Sequence, residues 1–308
     1  MIFYFDGDII LDAGGNVRNN QKRKNHMNCF TVDLYDYFGV KKPENCGCKL
    51  TCYIKAVSRE VDANRKSPAM LVIPGGGYGF CSFREAEPIA LSYVNYGFNA
   101  FVLDYSVSPC RFPYPLLEAV LAMNYLRKNA DELRIDADMI AAVGFSAGGH
   151  LCGMLGSYYD SPEVKKIFKS DVSARPNAVI LSYPVIIYRG KAHKGSFDNL
   201  CGTDEELKDR LQINKLVNSA SSPAFIWATY TDGAVPVKNS LAVADAYEEA
   251  GVPFAIHVWG KGVHGISLDN MNVFGQGGKN MITEASKSLP KWVKLSVEWL
   301  EEQGVYVK

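Results

Sequence analysis

The chain has 308 residues, 47% of them hydrophobic and 21% charged, which is the composition of an ordinary globular protein. Lys plus Arg and Asp plus Glu both count 33, so the formal net charge is zero and the basic footprint of a nucleic-acid binder is missing. No apolar run reaches the length of a membrane span, so neither nucleic acid nor a membrane is an expected partner.

The first ten residues, MIFYFDGDII, do not read as a signal peptide. Their first charges are Asp6 and Asp8, where a basic segment should stand, and no long apolar stretch follows. A cytoplasmic location is therefore expected, and with it eight cysteines in the reduced state. Cys46, Cys48 and Cys52 form a C-x-C-x-x-x-C group, which is not a standard zinc spacing. It reads as a turn entering a strand, and no metal or cofactor is expected. Residues 1–28 end in NVRNNQKRKNHMN and read as a polar extension ahead of one domain spanning 29–308.

Two strand-like runs, Phe30 to Phe38 and Lys49 to Val57, predict an antiparallel hairpin at a sheet edge. After Pro68 strands and helices alternate. The runs AMLVI (69–73), AFVLDY (100–105), MIAAV (139–143), AVILSY (178–183), AFIWATY (224–230) and PFAIHVW (253–259) are almost continuously apolar, as buried parallel strands are. Between and after them lie helical patterns. Ala86, Ile89, Ala90 and Tyr93 mark the first, Leu116, Val120 and Met123 the second, and Val243, Ala246, Tyr247 and Ala250 a later one. Trp292, Val293, Val297 and Leu300 mark the closing helix. This order predicts an α/β fold with a mostly parallel central sheet, an antiparallel N-terminal edge and helices on both faces. Residues 184–222 break the alternation. They hold a short charged helix near 204–211 and read as a cap insertion over a pocket.

Residues 144–149, GFSAGG, follow an apolar strand and precede a helix. That is the setting in which G-x-S-x-G forms a nucleophile elbow around Ser146. A serine hydroxyl needs a base, and the base needs an orienting acid. Of five histidines, His264 sits in a glycine-flanked loop just past the last strand and is the expected base. His150 falls on the elbow helix, His193 in the insertion and His257 within a strand. Asp232, at the end of the preceding strand, is the expected acid, although Asp in that place also suits a helix N-cap. An oxyanion hole needs fixed N–H donors. Ala147 follows the nucleophile, and Gly76 and Gly77 lie in PGGGYG (74–79), the loop after an earlier strand.

These segments together resemble the α/β-hydrolase superfamily. They are VIPGGGYGF with FREAEPIA, then VGFSAGGHL, then TDGAVPVKNSLAVADAYEEAGVPF, then GVHGIS. Within it the chain is similar to the acetyl-esterase and acetylxylan-esterase-like branch, which is related to the hormone-sensitive-lipase-like esterases. The resemblance runs from about Phe30 to the C-terminus. Two departures stand out. Pro74 occupies the place of the His in a His-Gly-Gly-Gly loop, which points away from formamidases, and Gly233 follows Asp232 where relatives carry a bulkier residue.

The resemblance implies a serine carboxylester hydrolase that removes acetyl groups from sugar hydroxyls in xylan fragments or related oligosaccharides. The partner would be a small-molecule or oligosaccharide ester. Tyr78 and Phe80 flank the oxyanion glycines and are read either as substrate contacts or as packing. A short-chain esterase without sugar preference and a non-catalytic hydrolase-fold binding protein are the competing readings.

Overall fold

The computed structural model describes residues 26–58, 60–190, 192–273 and 285–307. Most of the expected N-terminal extension therefore lies outside the described residues, and Asn28 already begins a strand.

Eight strands form one sheet: β1 (Asn28–Asp33), β2 (Lys49–Ile54), β3 (Ser67–Ile73), β4 (Asn99–Asp104), β5 (Ile135–Phe145), β6 (Ala178–Ser182), β7 (Ala224–Thr229) and β8 (Phe254–Trp259). Their spatial order is β1-β2-β4-β3-β5-β6-β7-β8. From β4 to β8 every pairing is parallel, whereas β1 and β2 join the edge antiparallel. All six apolar runs read from sequence fall on strands.

The pleat sends alternate residues to opposite layers. Ala69, Leu71 and Ile73 of β3 point into one core layer with Leu116, Leu151 and Val243, which lie on α3 (Tyr114–Lys128), α4 (Ala147–Tyr158) and α9 (Lys238–Glu249). Met70 and Val72 point into the other, with Ile89 and Tyr93 of α2 (Glu87–Asn95) and Trp292 and Val297 of α10 (Trp292–Glu302). Both faces are covered, which is why these strands show no polar alternation.

The predicted hairpin needs a correction. Residues 34–38 are a short helix, α1 (Leu34–Phe38), and not a continuation of the first strand. The Asp33 carboxylate accepts from Tyr35 N and Asp36 N, and Gly39 closes the helix in the left-handed region at φ 61°. An N-cap and a glycine stop at that spacing outcompete the strand pattern of FTVDLYDYF. Leu34 and Tyr35 are buried as a result, and the Tyr35 hydroxyl donates to Glu118 at 2.8 Å.

The cysteines need a second correction. Cys46 and Cys110 form a disulfide across 64 residues of chain, while the other six are free. The link joins the segment before β2 to the loop after β4, two places that only the fold brings together. Disulfides persist in oxidising compartments, so this feature does not favour a cytoplasmic location. Among the described residues, no helix is long and apolar enough to cross a membrane.

Residues 184–222 contain α6 (Lys194–Cys201), α7 (Glu205–Arg210) and α8 (Ile213–Leu216). Asp204 caps α7 by accepting from Leu207 N, and Lys208 is buried between Asp198 and Glu205 at 2.6 and 2.9 Å.

Candidate active site

Ser146 sits between β5 and α4 with φ 53° and ψ −117°, a conformation that L-residues rarely adopt. The flanking glycines make that turn sterically possible. A Cβ on Gly148 would stand 2.2 Å from Pro74 O, and one on Gly144 would stand 2.2 Å from Gly148 O. The turn is also held by Ser146 N donating to Ser182 O at 3.0 Å.

The loop after β8 brings His264 to this turn. Ser146 Oγ lies 2.8 Å from His264 Nε2, and His264 Nδ1 lies 2.7 Å from Asp232 Oδ2. The three residues are 32 and 118 positions apart in sequence along these two contacts. Asp232 is buried and can only accept, so Nδ1 carries the proton and Nε2 is left free to accept from the serine hydroxyl. The other Asp232 oxygen, Oδ1, accepts from Ala234 N and Val235 N, both at 2.9 Å. Asp232 is not a helix N-cap, since the next helix begins at Lys238 behind Val237; its second oxygen holds the turn that follows it.

Behind His264 the loop is fastened on several sides. Thr229 Oγ1 and Thr231 Oγ1 donate to Gly262 O at 2.9 and 3.0 Å. Trp292 Nε1 donates to Ser267 O at 3.0 Å, and its ring stacks on Trp227.

Gly76 has φ +124° and Gly77 has φ +65°, and a Cβ on Gly76 would collide with Phe80 O at 2.0 Å. The loop turns back on itself through Gly79 N donating to Gly76 O at 2.9 Å. The N–H groups of Gly76, Gly77 and Ala147 donate to no described residue. Ala147 is the first residue of α4, where backbone N–H groups have no intrahelical partner and the helix dipole favours negative charge.

The two aromatic neighbours part company. Phe80 is 61% exposed. Tyr78 is 1% exposed, with its ring edge-on to Tyr105 and His150 and its hydroxyl 2.9 Å from His150 Nδ1. Tyr78 packs the glycine loop onto the core and offers no face to a substrate, so its reading as a substrate contact is withdrawn. His150 Nε2 lies 2.8 Å from Leu211 O, so this buried imidazole donates there and accepts from Tyr78. Burial pushes His150 down to about 4, which keeps it neutral.

Four side chains around this centre lie outside the site expected from the sequence; only His193 of them stood among its candidates, and not as a site residue. Asn199 Nδ2 donates to Gly77 O at 2.9 Å, tying α6 to the glycine loop. A Cβ on Gly77 would meet His193 Cε1 at 3.7 Å and Ser196 Oγ at 3.8 Å. Burial, then the facing His264, push the His193 imidazole below its ordinary range. The insertion therefore covers the glycine loop with polar groups. Glu85 is buried beside Ser146, its carboxylate accepting from Gly75 N at 2.9 Å. Nothing in the spacing of FREAEPIA separates Glu85 from the neighbouring Glu87.

With this geometry in view, the likeness to known proteins is informative. The BD-FAE family model matches residues 57–247, more than half of the chain. Endo-1,4-beta-xylanase B of Butyrivibrio fibrisolvens is 41% identical over 216 residues, covering 68% of this chain and 34% of that protein. The acetylxylan esterase of Xylanibacter ruminicola is 28% identical over 213 residues, covering 67% of this chain and 42% of that protein. The chain thus spans less than half the length of either relative. The crystal structure of an acetyl ester-xyloside bifunctional hydrolase from Caldicellulosiruptor lactoaceticus superposes with a TM-score of 0.76 at 34% identity, covering 90% of this chain and 97% of that one. The chain belongs to the BD-FAE family and carries the α/β-hydrolase fold of its esterase neighbours.

Proposed function

We propose that the chain is a serine carboxylester hydrolase that removes acetyl groups from acetylated sugars. The observation that carries this reading is the hydrogen-bonded series Ser146 Oγ, His264 Nε2, His264 Nδ1, Asp232 Oδ2, with separations of 2.8 and 2.7 Å.

The chemistry follows from those contacts. Ser146 Oγ attacks the ester carbonyl carbon while its proton passes to His264 Nε2. The carbonyl oxygen becomes an oxyanion and accepts from the N–H groups of Gly76, Gly77 and Ala147. Asp232 holds the ring orientation and stabilises the imidazolium without taking its proton. The imidazolium then protonates the leaving alcohol oxygen, the C–O bond breaks and an acetyl-serine remains. Water attacks the acetyl carbon, His264 takes its proton, and acetate leaves as the Ser146 hydroxyl is restored. The chain's own residues supply every group these steps use, so activity is expected to survive EDTA.

The sugar-ester reading draws on the acetylxylan esterase and acetyl ester-xyloside hydrolase among the similar proteins. It also draws on the polar cover of His193, Ser196 and Asn199 over Gly77, and on exposed Phe80 as a face for a sugar ring. A short-chain esterase without sugar preference is the second reading, favoured by likeness to esterase LipQ of Mycobacterium tuberculosis, 29% identical over 108 residues. Acetylated xylo-oligosaccharides assayed beside nitrophenyl esters of increasing chain length separate the two. A higher kcat/KM on the oligosaccharides supports the first, and indifference to the alcohol supports the second. Loss of fluorophosphonate labelling in Ser146→Ala tests the nucleophile itself.

A further inference from the structure

The Glu85 carboxylate has no place in the steps above, yet it lies between the glycine loop and the segment that holds the histidine loop. It is 3% exposed and ends the short 3-10 turn Phe83–Glu85, just before α2. Its Oε2 accepts from Gly75 N at 2.9 Å, at the start of the glycine loop. A Cβ on Gly75 would stand 2.6 Å from that same oxygen and 3.0 Å from Ser146 Cβ, so Glu85 and the nucleophile both border Gly75.

Its other oxygen reaches the histidine loop. Tyr183, just past β6, places its hydroxyl 2.6 Å from Glu85 Oε1 and 3.1 Å from Ser267 N. Ser267 N–H can only donate, so the tyrosine oxygen accepts from it and the tyrosine proton goes to Glu85. The Tyr183 ring stands edge-on to His264 at 5.2 Å between centroids. Tyr183 has φ 35° and Ser267 φ 54°, two unfavourable conformations that the surrounding bonds must hold. Ser267 Oγ also donates to Arg84 O at 2.6 Å, a second tie between the same segments.

We propose that Glu85 is a positioning residue: one buried carboxylate clamps the oxyanion loop through Gly75 and the histidine loop through Tyr183 and Ser267, and its charge supports the imidazolium that His264 becomes. This rests on the serine-hydrolase reading above. The charged and titratable groups facing Glu85 are Tyr183, His264, Arg84 and Tyr105, and those facing His264 are Asp232, Glu85, His193 and Tyr183. Burial is the largest influence and leaves the Glu85 carboxyl above its ordinary value, against the pull of the Tyr183 hydroxyl, Gly75 N–H, His264 and Arg84. Both of its oxygens accept in this network, from Gly75 N and the Tyr183 hydroxyl.

A purely architectural residue and a charged clamp predict different kinetics. Nitrophenyl acetate turnover by the full chain, followed against pH, separates them. Glu85→Gln is close in shape but lacks the charge. It should lower kcat about 10- to 100-fold, leave KM within about threefold, and move the acidic limb of the kcat/KM profile about half a pH unit or more toward lower pH. Tyr183→Phe keeps the ring against His264 and the charge on Glu85 but cuts the link to Ser267. It should lower kcat about 3- to 10-fold with the acidic limb in place, and the double variant should fall little below Glu85→Gln alone.

A kcat within about threefold of wild type and an unmoved acidic limb in folded Glu85→Gln overturn the inference. If Glu85→Gln does not fold, Tyr183→Phe decides, and a wild-type kcat there overturns it. Fluorophosphonate labelling of the wild-type chain, lost in Ser146→Ala, checks the serine reading separately. With labelling intact, a negative result at Glu85 counts against the clamp alone.

Discussion

Asp232 meets His264 with one oxygen and its own loop with the other. Oδ2 lies 2.7 Å from His264 Nδ1, while Oδ1 accepts from Ala234 N and Val235 N. Two backbone donors on one oxygen fix the carboxylate plane, so the oxygen facing His264 is aimed before any substrate arrives. A third position on the same line, Ser146 Oγ, completes it at 2.8 Å from the far ring nitrogen.

Replacement of Asp232 by Asn keeps the side-chain shape but lets an amide present its NH2 to Nδ1. The proton would then move to Nε2, and the serine would lose its acceptor. Turnover of acetyl esters by Asp232→Asn should fall by about four orders of magnitude, while the melting temperature changes little. Steady-state kinetics and a thermal scan check both. Near-wild-type turnover would remove Asp232 from the proposed mechanism.

Tyr78 should behave as a packing residue. Tyr78→Phe deletes the hydroxyl that donates to buried His150 Nδ1 and leaves that nitrogen without its partner. A cost of about 1–3 kcal/mol in denaturant unfolding is expected, because a desolvated acceptor is left unpaired. The relative rates on acetate, butyrate and octanoate esters should keep their order. A reordered acyl series would return Tyr78 to the substrate pocket.

The Cys46–Cys110 link should be visible by thiol counting. Denatured, unreduced protein should titrate six thiols, and reduced protein all eight. Closing a loop of 64 residues restricts the unfolded chain, so Cys46→Ser should lower stability by about 3–4 kcal/mol under oxidising conditions. Eight titratable thiols before reduction would show that the pair is open.

Glu118 should give the fold a pH dependence of its own. Its carboxyl is fully buried, accepting from Ser106 N at 2.6 Å and from the hydroxyls of Tyr35 and Ser106. Burial raises it from 4.5 to about 7, against the pull of those donors. The folded chain therefore holds this proton more tightly than the unfolded chain does. The associated stability is fully present below the unfolded carboxyl value and is lost as pH rises through about 7. The loss is on the order of 3 kcal/mol. Unfolding free energy measured across this range should fall with rising pH, and Glu118→Gln should flatten that slope. An equal slope in both proteins would assign the effect elsewhere.

The strands, the elbow and the three chemically suited residues could be read from the amino-acid order because each leaves a local mark. Buried parallel strands are apolar throughout, an elbow needs glycine on both sides of its serine, and a histidine or aspartate past a strand end stands out against its neighbours. The first helix leaves a strand-like mark for a related reason: FTVDLYDYF alternates like a strand, and the Asp33 cap that ends the strand is a single side chain.

What the order could not carry is which distant groups meet. Cys46 and Cys110 pair across 64 residues, Tyr78 turns inward to His150, and Glu85 is singled out from Glu87 only by burial against Gly75. Hydrogen-bond partners at such separations depend on how loops from different strand ends pack against one another. By itself the sequence determined the sheet, its helical covers and the residue types at its strand ends. The tertiary structure alone decided which of those residues face one another, because a buried polar group takes its character from the donors and acceptors the fold places around it.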